Sequence, residues 1–283
     1  MDTLYAWFIY PFSFEFMQTA LYAAVVIGVV CAILSCFLVL KGWSLMGDAV
    51  AHAVLPGIAV AEIIGFAHPI GAVISGFICA IATGFICENS RLKEDTVMGI
   101  VFSGMFAAGI LMISQIQTDK HLMHIIKGNL LGISQTEFNQ IVIISALVII
   151  IMALKWKDFM LYCFDMAHAR VVGLPVRGLH YALLTLLALT IVAAIQAVGV
   201  IMVVSLLVAP GITAFVLTKS FSRMMMIAIA VSVTASVSGT LISFHLDASP
   251  AASIVLVQSF IFTLVLMLRN IARTIISNSK PAE

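Results

Sequence analysis

Residues Ser44–Gly57 read S-L-M-G-D-A-V-A-H-A-V-L-P-G and place Asp48 and His52 four residues apart in an otherwise apolar stretch. On a helix, positions i and i+4 share one face, so the carboxylate and the imidazole point the same way. An acid set in hydrocarbon is costly and marks a functional site by default. A carboxylate oxygen and a neutral imidazole nitrogen together suit borderline divalent metals such as Mn, Fe and Zn. One such helix supplies two ligands, and two copies facing each other across a dimer axis would supply four. A plainer reading fits the same residues. Asp48, following Gly47, could be an acid at a helix N-terminus, and His52 a satisfied core histidine.

The composition says where this stretch lives. The 283 residues are 63% hydrophobic and 10% charged, with a mean hydropathy of +1.18. Soluble domains carry about 25% charged residues, so the chain belongs in a bilayer. A net charge of +1 gives no argument for nucleic acid. The five cysteines are odd in number and scattered, with no C-x-x-C, which supports neither a disulfide framework nor a zinc knuckle. Packing is the role expected of them. The opening MDTLYAWFIYPFSFEF has no Lys or Arg. It reads as an aromatic interfacial lead-in rather than a cleavable signal. No P-loop occurs, so any energy from ATP must come from another chain.

Working outward, apolar runs of about 20 residues mark spans. They fall near residues 17–40, 48–66, 70–86, 96–116, 141–154, 179–195, 200–217, 224–244 and 253–268. Pro56-Gly57 should kink or break the second span. Gln196–Gly199 should separate the sixth from the seventh. The polar interval 117–138 should hold a short helix on or in the membrane surface. Merging two short spans would leave eight. With nine, Lys41, Arg91/Lys93, the 155–177 segment, Lys219/Arg223 and the basic tail share one side, which the positive-inside rule makes cytoplasmic. The chain reads as one domain, 1–283, all-α and polytopic.

Four more constellations stand out. Phe164–Pro175, F-D-M-A-H-A-R-V-V-G-L-P, reads as a short amphipathic helix, with Asp165 at its N-cap and Gly173-Leu174-Pro175 as its stop. It either docks a soluble partner or is an ordinary loop helix. Gln196–Pro210 carries small residues and a proline of the kind that line broken, closely packed helices. His245 and Asp247 are candidates for an outer path or gate, and the His121/His124 pair for metal hand-over. Glu62, fourteen residues after Asp48, returns to a similar face if the helix stays regular.

These blocks carry a resemblance over nearly the whole chain. Val39–Gly57 (V-L-K-G-W-S-L-M-G-D-A-V-A-H-A-V-L-P-G), Lys93–Ala107, Leu161–Pro175, Gln196–Gly211 and Gly239–Ala251 resemble, in order, the permease subunits of bacterial ABC importers for zinc, manganese and iron. The manganese/iron inner-membrane permeases look nearest. G-D-A-x-x-H and D-x-x-x-A-R-x-x-G-L are the specific motifs. The resemblance implies a type II importer-like bundle that dimerises around a central path. It implies two ATP-hydrolysing subunits inside and a metal-loaded binding protein outside. Asp48 and His52 match the residues expected to coordinate the metal cargo. Asp165, His168, Arg170, Gly173 and Leu174, within a segment of about 155–177, match the part that contacts the ATPase. No permanent cofactor is implied. An intramembrane metalloprotease would need an H-E-x-x-H motif, which is absent. A zinc importer of the same family and an ATP-independent metal carrier are the alternatives.

Overall fold

The computed structural model describes residues 10–43, 46–92, 94–115 and 130–278. Ten α-helices are described: α1 Glu15–Lys41, α2 Met46–Ala53, α3 Leu55–Ile64, α4 His68–Asn89, α5 Glu94–Ser114, α6 Gln135–Phe164, α7 Met166–Val171, α8 Val176–Leu217, α9 Phe221–Leu246 and α10 Pro250–Asn278. Two short 3-10 turns, Tyr10–Ser13 and Leu130–Gly132, precede α1 and α6. Among the described residues nine stretches are long and apolar enough to cross a bilayer, with α2 and α3 counted as one and α8 as two. The expected all-α polytopic bundle is what forms.

The second span breaks where Pro56 predicts. Val54 interrupts it, and Pro56 sits in the first turn of α3, where its missing N–H costs least. Close packing holds the break. A Cβ added at Gly57 would overlap the Gly71 carbonyl oxygen, and one added at Gly109 would come 2.9 Å from the Pro56 nitrogen. Only bare backbone allows α3, α4 and α5 to approach this closely.

The break near residues 196–199 is a reversal of direction. Gly199 lies inside α8 with φ 77° and ψ 167°. Before it, His180 lies against Gly84 and Ala188 against Gly76, so the first limb is antiparallel to α4. After it, Leu206 lies against Gly28 and Gly211 against Ser35, so the second limb is parallel to α1. The main core fills the space between α1 and both limbs, with Leu34, Phe37, Leu183, Leu187, Met202 and Leu206 fully buried. Pro210 stays inside the second limb. Ser35 braces it: its Oγ accepts from the Gly211 N–H at 3.0 Å and donates to the Val208 carbonyl at 3.3 Å. A neighbouring hydroxyl thus serves backbone groups on either side of the proline.

One boundary differs from the sequence reading. The fifth span does not stop near Leu154, because α6 runs unbroken to Phe164. Lys155 and Asp158 pair at 3.2 Å one turn apart, and the Trp156 ring stacks on Phe221 of α9 at 6.5 Å. The polar residues therefore ride on a helix that outlasts its apolar stretch. At its start α6 carries a capping box between Ser134 and Glu137, so Gln135–Phe138 is already helical. His121 and His124 lie outside the described residues, as does most of the 117–138 interval.

Candidate metal path

Asp48 and His52 both fall on α2, and their side chains meet, Oδ1 to Nε2, at 3.3 Å. Every other residue of α2 is buried. These two side chains keep 42% and 31% exposure, so the polar pair is the open face of an otherwise enclosed helix. Within the single chain His52 is therefore not sealed in the core. The His52 ring is held from α5, stacked on Phe102 at 6.2 Å and edge-on to Phe106 at 4.9 Å. Both phenylalanines lie near the middle of α5, which sets the pair at mid-span depth. Behind it, Gly47 lets Leu207 of the second α8 limb come close; a Cβ there would sit 3.0 Å from the leucine.

Chemically the pair offers one carboxylate and one imidazole on an open wall. Among the described residues no group of three or more His, Cys, Asp or Glu side chains comes together. Two such side chains are fewer than the four ligands of a closed tetrahedral metal cage.

Glu62 lies on α3, beyond Val54, whose backbone stays helical at φ −72° and ψ −25°. It accepts from the Nε2–H of His68, the first residue of α4. The sequence reading missed His68. Its partner lies six residues back across the Gly65–Ala67 turn, and no periodicity reports that. The result is a second carboxylate–imidazole pair, half-buried, at the far end of the same broken span.

His245 and Asp247 sit at the end of α9. His245 Nδ1 donates to the Leu241 carbonyl at 2.9 Å. Asp247 takes the left-handed conformation, φ 49°, and closes the helix through its N–H to Ser243. Phe244 beside them packs on Tyr10 and Phe14.

At the other end of the bundle, α7 forms where the sequence places it. Asp165 Oδ1 accepts from the His168 N–H at 2.9 Å, the N-cap expected. Gly173, at φ 84°, turns the chain, and the Gly173 and Leu174 N–H groups close on Arg170 and Ala169. Ala169 is fully buried and Leu174 packs on the core, which pins the helix down. Its outer side presents Val171 at 84% and Val172 at 58% exposure, next to Phe164 at 79%. Three large apolar side chains in the open suit a protein partner.

Comparison with known proteins follows the same outline. A model described as the ABC 3 transport family matches residues 13–269. The chain is 58% identical to the chelated iron transport system membrane protein YfeD of Yersinia pestis, over 96% of this chain and 91% of that one. It is 42% identical to the manganese transport system membrane protein MntB of Synechocystis, over 92% and 85%. Among solved structures it superposes on PsaBC from Streptococcus pneumoniae in complex with Fab with a TM-score of 0.80, at 36% identity, over 89% and 91%. A family match spanning nine-tenths of the sequence settles membership: the chain belongs to the ABC 3 transport family.

Proposed function

We propose that this chain is the permease of an ATP-driven importer that moves manganese and/or iron into the bacterial cytoplasm. The chain itself is not an enzyme; a separate ATPase subunit hydrolyses ATP. It works as a single permease domain in the cytoplasmic membrane, with α7, Lys41 and the basic loops inside and the chain's start outside. The metal enters from an extracytoplasmic binding protein. It pauses at a transient site built from Asp48 and His52 of two permease copies, then leaves inward. Cytoplasmic ATPase subunits grip α7 and the adjoining turn through Val171, Val172 and Phe164, and ATP-driven movement there alternates access. The observation that carries this reading is the Asp48–His52 pair, the open face of a helix buried everywhere else.

The test is element-resolved metal accumulation in a strain lacking the permease. It is complemented with wild type, Asp48→Ala or His52→Ala, at matched membrane levels. Restoration of Mn or Fe by wild type and loss in both variants is expected. Normal uptake by both variants would make the pair structural.

A further inference from the structure

We infer that the polar recess at the cytoplasmic end of the bundle binds a phosphate group, supplied by the headgroup of an anionic phospholipid of the inner leaflet. The inference uses the orientation proposed above and is independent of the cargo. The recess has a volume of about 340 Å³ and lies between the ends of α4, α6 and α8, with α7 across it. Arg170 of α7, Arg177 and His180 of α8 and Tyr162 of α6 line it, and no carboxylate is among its described lining residues.

Its chemistry is that of an anion site. Arg170 donates to the Met166 sulfur, 3.4 Å away. A thioether is a weak acceptor for a guanidinium, whereas phosphate offers the planar fork two oxygens at once. The first turn of α8 borders the same space and has no side-chain cap, so its positive dipole end adds to the field. Tyr162 Oη and His180 Nδ1 are 2.7 Å apart, which fixes the back wall. The Lys41 ammonium sits 4.8 Å from the Tyr162 ring centre and adds a further positive charge close by.

A lipid is favoured over a free anion by what lies above the recess. Phe77 and Ile81 are exposed on α4 and share one stripe with the recess-lining Gly84, at i, i+4 and i+7, leading from the recess into the spanning part of the helix. A headgroup held in the recess finds a track for its tails there; inorganic phosphate would leave that track unused. Basic pockets between helices on the cytoplasmic side take anionic headgroups in this way. Because Arg170 belongs to α7, a bound phosphate would tie the ATPase-facing helix to α4 and α8. Lipid composition would then set how firmly that helix is held.

The recess carries its own reporter. Cys87 lines it and is half-exposed, while Cys31, Cys36, Cys79 and Cys163 are buried. The purified transporter complex is placed in nanodiscs of phosphatidylcholine alone, of phosphatidylcholine with phosphatidylglycerol, or of phosphatidylcholine alone with inorganic phosphate in the buffer. Labelling of Cys87 by N-ethylmaleimide is then timed. Severalfold slower labelling in the phosphatidylglycerol discs alone is expected. The same discs holding the Arg170→Gln/Arg177→Gln variant should label at the unprotected rate, which separates occupancy from surface charge. Protection by inorganic phosphate in neutral discs, without a lipid effect, would keep a phosphate site but overturn its lipid source. Equal rates in all three wild-type samples would overturn the site. Both overturning outcomes are read on wild type alone, and Arg170→Gln by itself serves the comparison if the double variant fails to fold.

Discussion

The Ser75 hydroxyl of α4 donates to the Ala53 carbonyl of α2 across 2.7 Å, at the point where the second span breaks. α2 ends there at Ala53, and Pro56, in the first turn of α3, brings no N–H of its own. A carbonyl stranded at that depth has no water to turn to. Ser75 supplies the missing donor one residue from His52. It is itself buried, so no other group can easily replace it.

Replacing Ser75 by alanine should therefore cost more than the mean hydrogen bond between membrane helices. We expect about 1–2 kcal/mol, since the carbonyl is left buried and unpaired. Ser75→Thr keeps the hydroxyl and should recover most of the loss. Thermal unfolding in detergent gives the stability, and metal uptake per molecule gives the effect on His52. Wild-type melting and uptake in Ser75→Ala would show that the break holds without its brace.

The contrast between what could and could not be read in advance follows from distance along the chain. Asp48 and His52 were legible because i and i+4 on a helix meet without help from the rest of the fold. The spans were legible because hydrocarbon demands long apolar runs. Ser75 at Ala53, Ser35 at Gly211 and His68 at Glu62 were not, because each joins separate helices and leaves no periodic trace. The end of α6 was misplaced for the opposite reason. Lys155, Lys157 and Asp158 read as loop composition, although a helix can carry charges past the hydrocarbon.

The Glu62–His68 pair gives a second prediction. The two side chains bridge the connection between α3 and α4, half-buried. If the pair only clamps the connection, Glu62→Gln should be nearly silent, because the amide oxygen still accepts from His68. If the carboxylate attracts incoming cations, the same variant should raise the metal concentration needed for half-maximal uptake severalfold and leave the maximal rate intact. We expect the second outcome, measured by initial rates of manganese uptake across a concentration series. Identical half-saturation in variant and wild type would assign the pair to the turn alone.

Asp165 supplies a third. Its carboxylate caps α7, a helix of six residues that cannot stand without its cap and its buried Ala169. Asp165→Ala removes about 1 kcal/mol of capping, small beside the whole bundle but large for α7. Membrane abundance and melting should barely change. Metal-stimulated ATP hydrolysis by the assembled complex should fall, because Val171 and Val172 would no longer be held in place. Asp165→Asn and Asp165→Ser can still cap and should restore coupling. Equal loss in all three variants would point to the charge rather than to the helix cap.

Gly199 makes the sharpest structural demand. Its φ of 77° with ψ of 167° lies in a region that only glycine enters freely, and a side chain there costs about 1–3 kcal/mol. Gly173 also has a positive φ, 84°, but it ends a short exposed helix, and a Cβ there would meet nothing within 4 Å. Left-handed caps of that kind accept other residues at about 1 kcal/mol. Gly199→Ala should therefore destabilise the permease more than Gly173→Ala, in thermal unfolding and in membrane abundance alike. The effect should also reach the metal pair, because Gly199 aims the second limb of α8, whose Leu207 packs on Gly47, the residue before Asp48. Gly199→Ala should lose uptake even per folded molecule. Gly173→Ala should keep metal affinity and lose only coupling. The reverse order of stabilities would mean that the reversal in α8 is held by its packing and not by its backbone.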